Sequence, residues 1–186
     1  MRNVPDGFRY QDDFIGADEE AALLDHIRQV EFSAFEMRGV VARRRVAFFG
    51  RSYDNGDRRT APMPAFLLPL RDKAAAWVGI AAEGFAMALI NEYPPGAPIG
   101  WHRDAPQYDV VSGISLLSAC RMKFRPYVSP SRLRDATAAG PRKTTHEVEV
   151  APRSIYLIAG PVRQAFEHSI PAVTELRYSI TFRTLR

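Results

Sequence analysis

From residue 85 onward this 186-residue chain is a series of short apolar and β-branched runs, separated by glycine, proline and serine and without helical periodicity. Runs of this kind are typical of β-strands. Several short strands with no helices between them favour an antiparallel sandwich or jelly roll over a parallel α/β fold. Polar residues 128–144 predict a loop between strands. The predicted strands lie at residues 44–50, 85–92, 110–118, 121–127, 145–150, 153–159 and 176–185.

The first half of the chain contains the patterns of two helices. Residues 18–31 carry apolar side chains at helical spacing and acidic side chains in the first turn, where the helix dipole favours them. A second helix is predicted at residues 64–80, and Pro69 must either kink it or shift its start. The chain is long enough for one well-buried core and too short for two, so we expect a single domain, mainly β with N-terminal helices.

The cysteine content limits the chemistry that the chain can support. Cys120 is the single cysteine, which excludes an intrachain disulfide and a cysteine-based zinc cluster. A bound metal would therefore need histidine and carboxylate ligands. The sequence contains no apolar run near the roughly 20 residues of a membrane span, and its N-terminus lacks a signal-peptide pattern. We expect a cytoplasmic monomer with no membrane partner.

Positive charge is concentrated after residue 37. The first 37 residues have a net charge of −6, which leaves +10 for the rest of a chain whose total is +4. Only three of the 25 basic residues are lysine, and the planar guanidinium of arginine suits phosphates and stacked bases. A polyanionic partner is one interpretation, and an arginine bias on ordinary solvated surfaces is the other. The two basic clusters are Arg38, Arg43, Arg44, Arg45, Arg51, Arg58 and Arg59, and then Arg121, Lys123, Arg125, Arg132, Arg134, Arg142 and Lys143.

The stretch IGWHRDAP places His102 and Asp104 two residues apart. In an extended segment such residues point to the same face, so both can reach one ion. A second histidine would complete the two-histidine, one-carboxylate triad that leaves open positions on Fe(II). Of the other three histidines, His168 is the best candidate, because it follows a strand and precedes a proline-fixed turn. The spacing alone also fits an ordinary turn with a hydrogen-bonded histidine.

The predicted C-terminal strand carries two arginines on one face. Arg177 and Arg183 are six residues apart in RYSITFRTLR, which corresponds to about 20 Å at roughly 3.3 Å per residue. A guanidinium close to the metal could hold a dicarboxylate through two hydrogen bonds. Alternating arginines also occur on edge strands, where they discourage pairing with other chains.

Four blocks of the sequence resemble the signature of the AlkB-like dioxygenases, in order, residue type and approximate spacing. They are the N-E-Y at 91–93, W-H-R-D at 101–104, E-H-S-I-P at 167–171 and R-Y-S-I-T-F-R at 177–183. The resemblance covers residues 85–186 and implies a double-stranded β-helix (jelly roll) as the catalytic core. It is looser over residues 1–84, which it implies to be a helical and substrate-recognition extension containing the arginine-rich segment.

The resemblance also implies cofactors and roles for individual residues. The cofactors would be Fe(II), 2-oxoglutarate and O2, and the metal ligands, which are also the catalytic residues, would be His102, Asp104 and His168. Arg177 would pair with the distal carboxylate of 2-oxoglutarate and Arg183 would lie near its metal-bound end. Further cosubstrate contacts would come from Asn91, Tyr93 and Ser179. Ser179 stands where the family usually has asparagine, so the polar side chain at this position has a shorter reach.

The substrate implied by the resemblance is an N-alkylated base of DNA or RNA, from which the alkyl group is removed by oxidation. Several nucleic-acid demethylases carry an acid just after the H-x-D, whereas this chain has Ala105, Pro106 and Gln107. A protein or lipid substrate and a non-catalytic RNA-binding β domain are the alternatives. The candidate substrate-binding residues are Arg45, Tyr53, Trp101 and Tyr108, the aromatic ones by stacking on an extruded or single-stranded base.

If the arginine clusters contact phosphates, affinity for a single-stranded oligonucleotide will fall steeply as salt is raised, because each contact releases counterions. Fluorescence anisotropy between about 50 and 200 mM salt measures the slope, for which several phosphate contacts predict a loss on the order of a hundredfold or more. A flat salt response would contradict phosphate binding.

Overall fold

The computed structural model describes residues 4–37, 39–51, 61–129 and 144–186. Tyr53 and most of the predicted 128–144 loop lie outside these ranges. The helices are α1 (Ala17–Ile27), α2 (Leu68–Val78) and the short α3 (Gly160–Ala165). The strands are β1 (Phe8–Gln11), β2 (Ser33–Met37), β3 (Val40–Gly50), β4 (Phe85–Tyr93), β5 (Ile99–His102), β6 (Tyr108–Leu116), β7 (Cys120–Pro126), β8 (His146–Val150), β9 (Ile155–Ile158), β10 (Phe166–Ile170) and β11 (Arg177–Leu185).

The described strands form two antiparallel sheets. The larger sheet has seven strands in the order β1-β9-β6-β11-β4-β3-β2, and the smaller has four in the order β5-β10-β7-β8. Apolar side chains of both sheets meet in one buried cluster, to which the larger sheet contributes Tyr156 and Ile158 and the smaller contributes Phe124 and Val148. Two antiparallel sheets packed face to face confirm the predicted jelly roll.

All seven predicted strands are present, with ends that differ by at most four residues. β1, β2, β5 and β10 were not predicted, because they have only four or five residues each. Pro69 neither kinks nor breaks the second helix. It lies in the first turn of α2, where a proline costs no hydrogen bond, and a 3-10 turn at Ala65–Leu67 precedes it.

Both long helices pack on the outer face of the larger sheet. Leu24 and Ile27 of α1 and Leu70 of α2 share a buried cluster with Ile90 and Ile180 from the two central strands. Because side chains alternate along a strand, the opposite face of these strands is turned toward the smaller sheet. The helices therefore seal one side of the sheet and leave the other side for a cleft.

The residues before Phe85 are continuous with the rest of the fold. β1 pairs with β9, and β3 pairs with β4 along six residue pairs. The described part of the N-terminal region thus adds strands to the larger sheet, while the division of the chain at residue 85 stays a prediction. Among the described residues, no helix is both long and apolar enough to cross a membrane.

Gly113 of β6 leaves room for the ring of Tyr156, its cross-strand neighbour on β9. A Cβ atom at Gly113 would lie 2.2 Å from Tyr156 Cζ. Gly113→Ala will therefore displace a buried ring and lower the free energy of unfolding by roughly 1–3 kcal/mol, the usual cost of overpacking. Chemical denaturation measures this loss. The matched control is Gly100→Ala, because a Cβ atom there meets nothing within 4 Å. Equal stability of the two variants would contradict the close packing.

Candidate active site

Neighbouring strands of the smaller sheet bring His102 and His168 together. His102 ends β5 and lies directly opposite His168 of β10, and the centroids of the two rings are 4.3 Å apart. His102 Nδ1 is 2.9 Å from the carbonyl oxygen of Gly100. If that nitrogen carries the proton and donates it to the carbonyl, Nε2 keeps a free lone pair for a metal.

Asp104 follows β5 and completes the group. Its Oδ2 atom is 3.9 Å from His168 Nε2, and its Oδ1 atom accepts a hydrogen bond of 3.2 Å from Arg183 of β11. Oδ2 is buried and has no hydrogen-bond partner in the part of the chain that the structure describes. One oxygen of the carboxylate is therefore oriented by an arginine while the other is left for a ligand, an arrangement that metal-binding carboxylates commonly have.

The protonation states of these side chains suit metal binding. Burial would raise the pKa of Asp104, but Arg183 and the two histidines outweigh it and hold that pKa below its usual range. Burial, followed by the neighbouring His102, lowers the pKa of His168 to about 3. At neutral pH the site thus offers an ionised carboxylate and a neutral imidazole, the forms that coordinate metals.

The donors fit Fe(II), although no complete cage is formed in advance. Within the described ranges, no three His, Cys, Asp or Glu side chains already close around an ion. Two imidazole nitrogens and the unpartnered oxygen of Asp104 are nevertheless the donor set of the facial triad, which leaves further positions open. His102, Asp104 and His168 would hold the iron.

Arg177 is a buried cation without a counter-ion in the described structure. It is fully buried, and its Nε donates a 3.0 Å hydrogen bond to Ser115 Oγ. Its two terminal nitrogens are also buried, and none of the described residues forms a hydrogen bond with them. An uncompensated buried charge is costly, so this guanidinium is suited to an anion that arrives with the ligand. A carboxylate of 2-oxoglutarate fits that requirement.

The other predicted cosubstrate residues lie on adjacent strands beside Arg177. Ser179 is directly opposite Asn91 in the β11–β4 pairing, and Asn91 Nδ2 is 3.5 Å from Ser179 Oγ. Tyr93 is paired with Arg177, whose guanidinium lies 5.0 Å from its ring centroid. Arg177, Ser179 and Arg183 alternate along β11, so all three face the gap between the sheets.

A cleft of about 1520 Å³ opens between the sheets. Seven of the eight predicted metal and cosubstrate residues line it, and Arg177 lies buried next to Tyr93. The cleft extends to β2 and β3, where Phe35 and Phe48 line it. Tyr108, one of the candidate substrate residues, lines it as well, with the Arg183 guanidinium 5.4 Å from its ring centroid.

Two other candidate substrate residues make their contacts elsewhere. The Trp101 ring lies 4.1 Å from the guanidinium of Arg125, and Trp101 does not line the cleft. Arg45 is half-exposed, forms an ion pair with Glu92 and does not line the cleft either. A substrate role for Trp101 and Arg45 therefore stays a prediction.

Arg163, Tyr156 and Arg44 are residues of the site that the sequence did not predict. Arg163 of α3 donates to the carbonyl oxygens of Ala105 and Tyr108, at 2.6 and 2.8 Å, and so fixes the segment that follows Asp104. Tyr156 and Arg44 line the cleft. Alternation along the RRR run would have indicated that Arg44 faces the opposite side from Arg45, whereas nothing in the sequence around Arg163 distinguishes it.

The fold and the site together define a class of protein. A two-sheet jelly roll that carries two histidines and an aspartate beside a buried, unpaired arginine is the arrangement of an iron oxygenase with a dicarboxylate cosubstrate. The model of the 2OG-Fe(II) oxygenase superfamily matches residues 9–183, and the chain belongs to this family. It is therefore a dioxygenase, and the expected Fe(II), 2-oxoglutarate and O2 are the cofactors that the family uses.

Curated relatives agree with the predicted resemblance. The alkylated DNA repair protein ALKBH8 homologue of Arabidopsis thaliana is 29% identical, over 91% of this chain and 51% of that protein. The chain thus spans about half the length of this relative. An uncharacterised protein, L905, of Acanthamoeba polyphaga mimivirus is 25% identical, over 96% of this chain and 85% of its own length.

Solved structures share the fold. OsALKBH1 superposes with a TM-score of 0.69 at 13% identity and covers 98% of this chain and 100% of its own. A Trichoplax adhaerens prolyl hydroxylase, solved with a hypoxia inducible factor peptide, gives 0.63 at 15% identity, with coverages of 96% and 83%. The sequence match to the ALKBH8 homologue confirms the AlkB-like resemblance, and the solved structures agree with it in fold.

The unpaired charge of Arg177 predicts a specific effect of its removal. Arg177→Met keeps an apolar stem and removes a buried cation, so the ligand-free protein will be as stable as the wild type or more stable. The rise in melting temperature that 2-oxoglutarate causes will be lost, and its KM will increase by about tenfold or more. The rise caused by Fe(II) alone will persist.

The control for this experiment is Arg28→Met, which removes an exposed, ion-paired arginine at the end of α1. It will keep the response to 2-oxoglutarate. A loss of the Fe(II) response in Arg177→Met would assign Arg177 to the metal site or to folding, in contradiction to cosubstrate binding.

Proposed function

We propose that this dioxygenase removes alkyl groups oxidatively from N-alkylated bases of DNA or RNA, with single-stranded nucleic acid as its partner. The observation that carries the proposal is the cleft, which extends from the metal-ligand set to the β2–β3 hairpin. Its volume of about 1520 Å³ exceeds the roughly 300–1,000 Å³ of a small-molecule pocket. It has room for a base in addition to the cosubstrate.

The walls of the cleft are suited to a flat, polar ligand. Phe35 and Phe48 line the end at β2 and β3, and Tyr108 lies nearer the ligand set. Aromatic side chains bind bases by stacking, whichever base is present. The positive balance of the chain after residue 37 is suited to a phosphate backbone that runs across the mouth of the cleft.

The residues of the site divide the work of the reaction. Arg177 would hold the distal carboxylate of 2-oxoglutarate, with Asn91 and Ser179 beside it, and Arg183 would keep Asp104 oriented. When bound, iron and 2-oxoglutarate would supply the activation of O2, with one oxygen atom going to succinate as CO2 is released and the other to a C–H bond of the N-alkyl group.

The product of that insertion decomposes without further help from the protein. A hydroxylated N-methyl group is a hemiaminal, whose C–N bond breaks as its hydroxyl proton is transferred to the ring nitrogen. Formaldehyde and the unmodified base are released. The protein contributes by positioning the alkyl group and by excluding water through the apolar face of the smaller sheet, including Met122 and Ile170.

The relatives support this substrate class. The name of the Arabidopsis relative describes repair of alkylated DNA. The Trichoplax prolyl hydroxylase shares only the fold at 15% identity, so it carries no argument for a protein substrate. We also propose that the protein is a monomer and acts in the cytoplasm.

An assay of succinate and formaldehyde release tests the proposal. Methylated single-stranded DNA, methylated RNA, duplex DNA and proline-containing peptides are compared as substrates. We expect equimolar succinate and formaldehyde with the single strands, and loss of both in His102→Ala with the fold retained by circular dichroism. His26→Ala, a change at an exposed histidine of α1, is the control. Coupled turnover of peptides alone, or unchanged turnover in His102→Ala, would overturn the proposal.

A further inference from the structure

Arg44 is a further buried cation of the cleft, besides Arg183 and the adjacent Arg177, and the chemistry described above gives it no role. It lines the cleft, is 6% exposed and lies in β3. Among the described residues it forms no ion pair, and its side chain makes one hydrogen bond, of 3.3 Å, from NH1 to Asn91 Oδ1. A guanidinium has five N–H donors and no acceptor, so most of its donors remain available.

The plane of this guanidinium is held by its surroundings. It lies 4.0 Å from the ring centroid of Phe35 on β2, and its other contact is with Asn91 on β4. Arg43 and Arg45, its neighbours in the RRR run, are exposed, and they contact the Gly96 carbonyl and Glu92 instead. Of the three arginines, Arg44 is therefore the one fixed inside the cleft.

Acidic side chains in the cleft do not offset this charge. The described lining contains three acids, of which Glu31 and Glu36 are exposed to solvent, whereas the side chain of Asp104 is only 8% exposed. The carboxylate of Asp104 is already engaged by Arg183 and belongs to the metal-ligand set. A cationic ligand would thus meet Arg44 without a free buried carboxylate in the described cleft, and like charges at close range repel.

We propose that Arg44 selects the base: it donates to a carbonyl oxygen beside the alkylated nitrogen, and it disfavours bases that alkylation makes cationic. This inference rests on the proposed function and specifies its substrate class. A site with fixed donors rejects a ligand that lacks the matching acceptor, because the donors are then left desolvated and unpaired.

Two matched pairs of methylated bases vary the two properties together, because the neutral member of each pair also has one more flanking carbonyl. N1-methylguanine is neutral and has a carbonyl beside the methylated nitrogen, whereas N1-methyladenine is cationic and has an amino group there. N3-methylthymine is neutral with two flanking carbonyls, whereas N3-methylcytosine is cationic and keeps one of them. Within each pair the ring size and the position of the methyl group are the same.

The test uses the protein loaded with Fe(II) and 2-oxoglutarate and one oligonucleotide sequence carrying each base in turn. Binding is measured without oxygen by fluorescence anisotropy, and kcat/KM is measured from formaldehyde release. We expect the wild type to prefer the neutral member of each pair by roughly tenfold or more, the scale set by one charged hydrogen bond. Arg44→Met will lose the preference, and Arg44→Lys, which keeps the positive charge without the fixed fork of donors, will retain part of it.

Lys73→Met is the control, because it removes one positive charge from α2, none of whose residues lines the cleft, and it will retain the wild-type ratio. The ratio between paired bases is unaffected by a general loss of stability or of cosubstrate affinity. Turnover of methylated bases with equal or greater preference for the cationic members in the wild type would overturn the inference and leave the proposed function standing. Absence of turnover with all four bases would overturn both.

Discussion

Arg183 donates to Asp104 across the gap between the two sheets, and the rest of the site depends on this contact. β11, which carries Arg183, belongs to the larger sheet, whereas Asp104 follows a strand of the smaller one. The pair therefore fixes the distance between the strand that carries the cosubstrate residues and the segment that carries the metal ligands. It also keeps Asp104 ionised although burial opposes the charge. Because Oδ1 is engaged, Oδ2 alone remains for a metal.

The larger sheet supports the site through the alternation of β11. Its even-numbered residues, such as Ile180 and Phe182, pack against the helices in the apolar core, while its odd-numbered residues from Arg177 to Arg183 are polar and face the cleft. The apolar face contributes the free energy that offsets the burial of two guanidinium groups on the other face. A shift of one residue in the register would exchange the two sets. Packing against the helices therefore determines which residues of β11 face the cleft as well as which lie in the core.

Much of this arrangement was predictable from the sequence because its signals are local. The long strands have clear apolar alternation, and the ligand pair at His102 and Asp104 needs only a two-residue spacing. β5 and β10 were missed because four or five residues that carry histidines have no apolar pattern. The pairing of those two strands brings His168 to His102. Pairing between distant segments cannot be predicted from a single sequence. Arg44 and Arg45 differ only in register, which one sequence does not fix.

Arg163 donates hydrogen bonds to the carbonyl oxygens of Ala105 and Tyr108, and these contacts limit how the site can change. Arg163 belongs to α3, and α3 leads directly into the strand that carries His168. One side chain thus connects the segment after Asp104 to the helix that precedes His168. An insertion or deletion between Gly160 and Ala165 would move His168 and the Asp104 segment together and change the shape of the cleft mouth. Variation among relatives in this short helix is therefore expected to alter which substrates enter, while the geometry of the ligands stays the same.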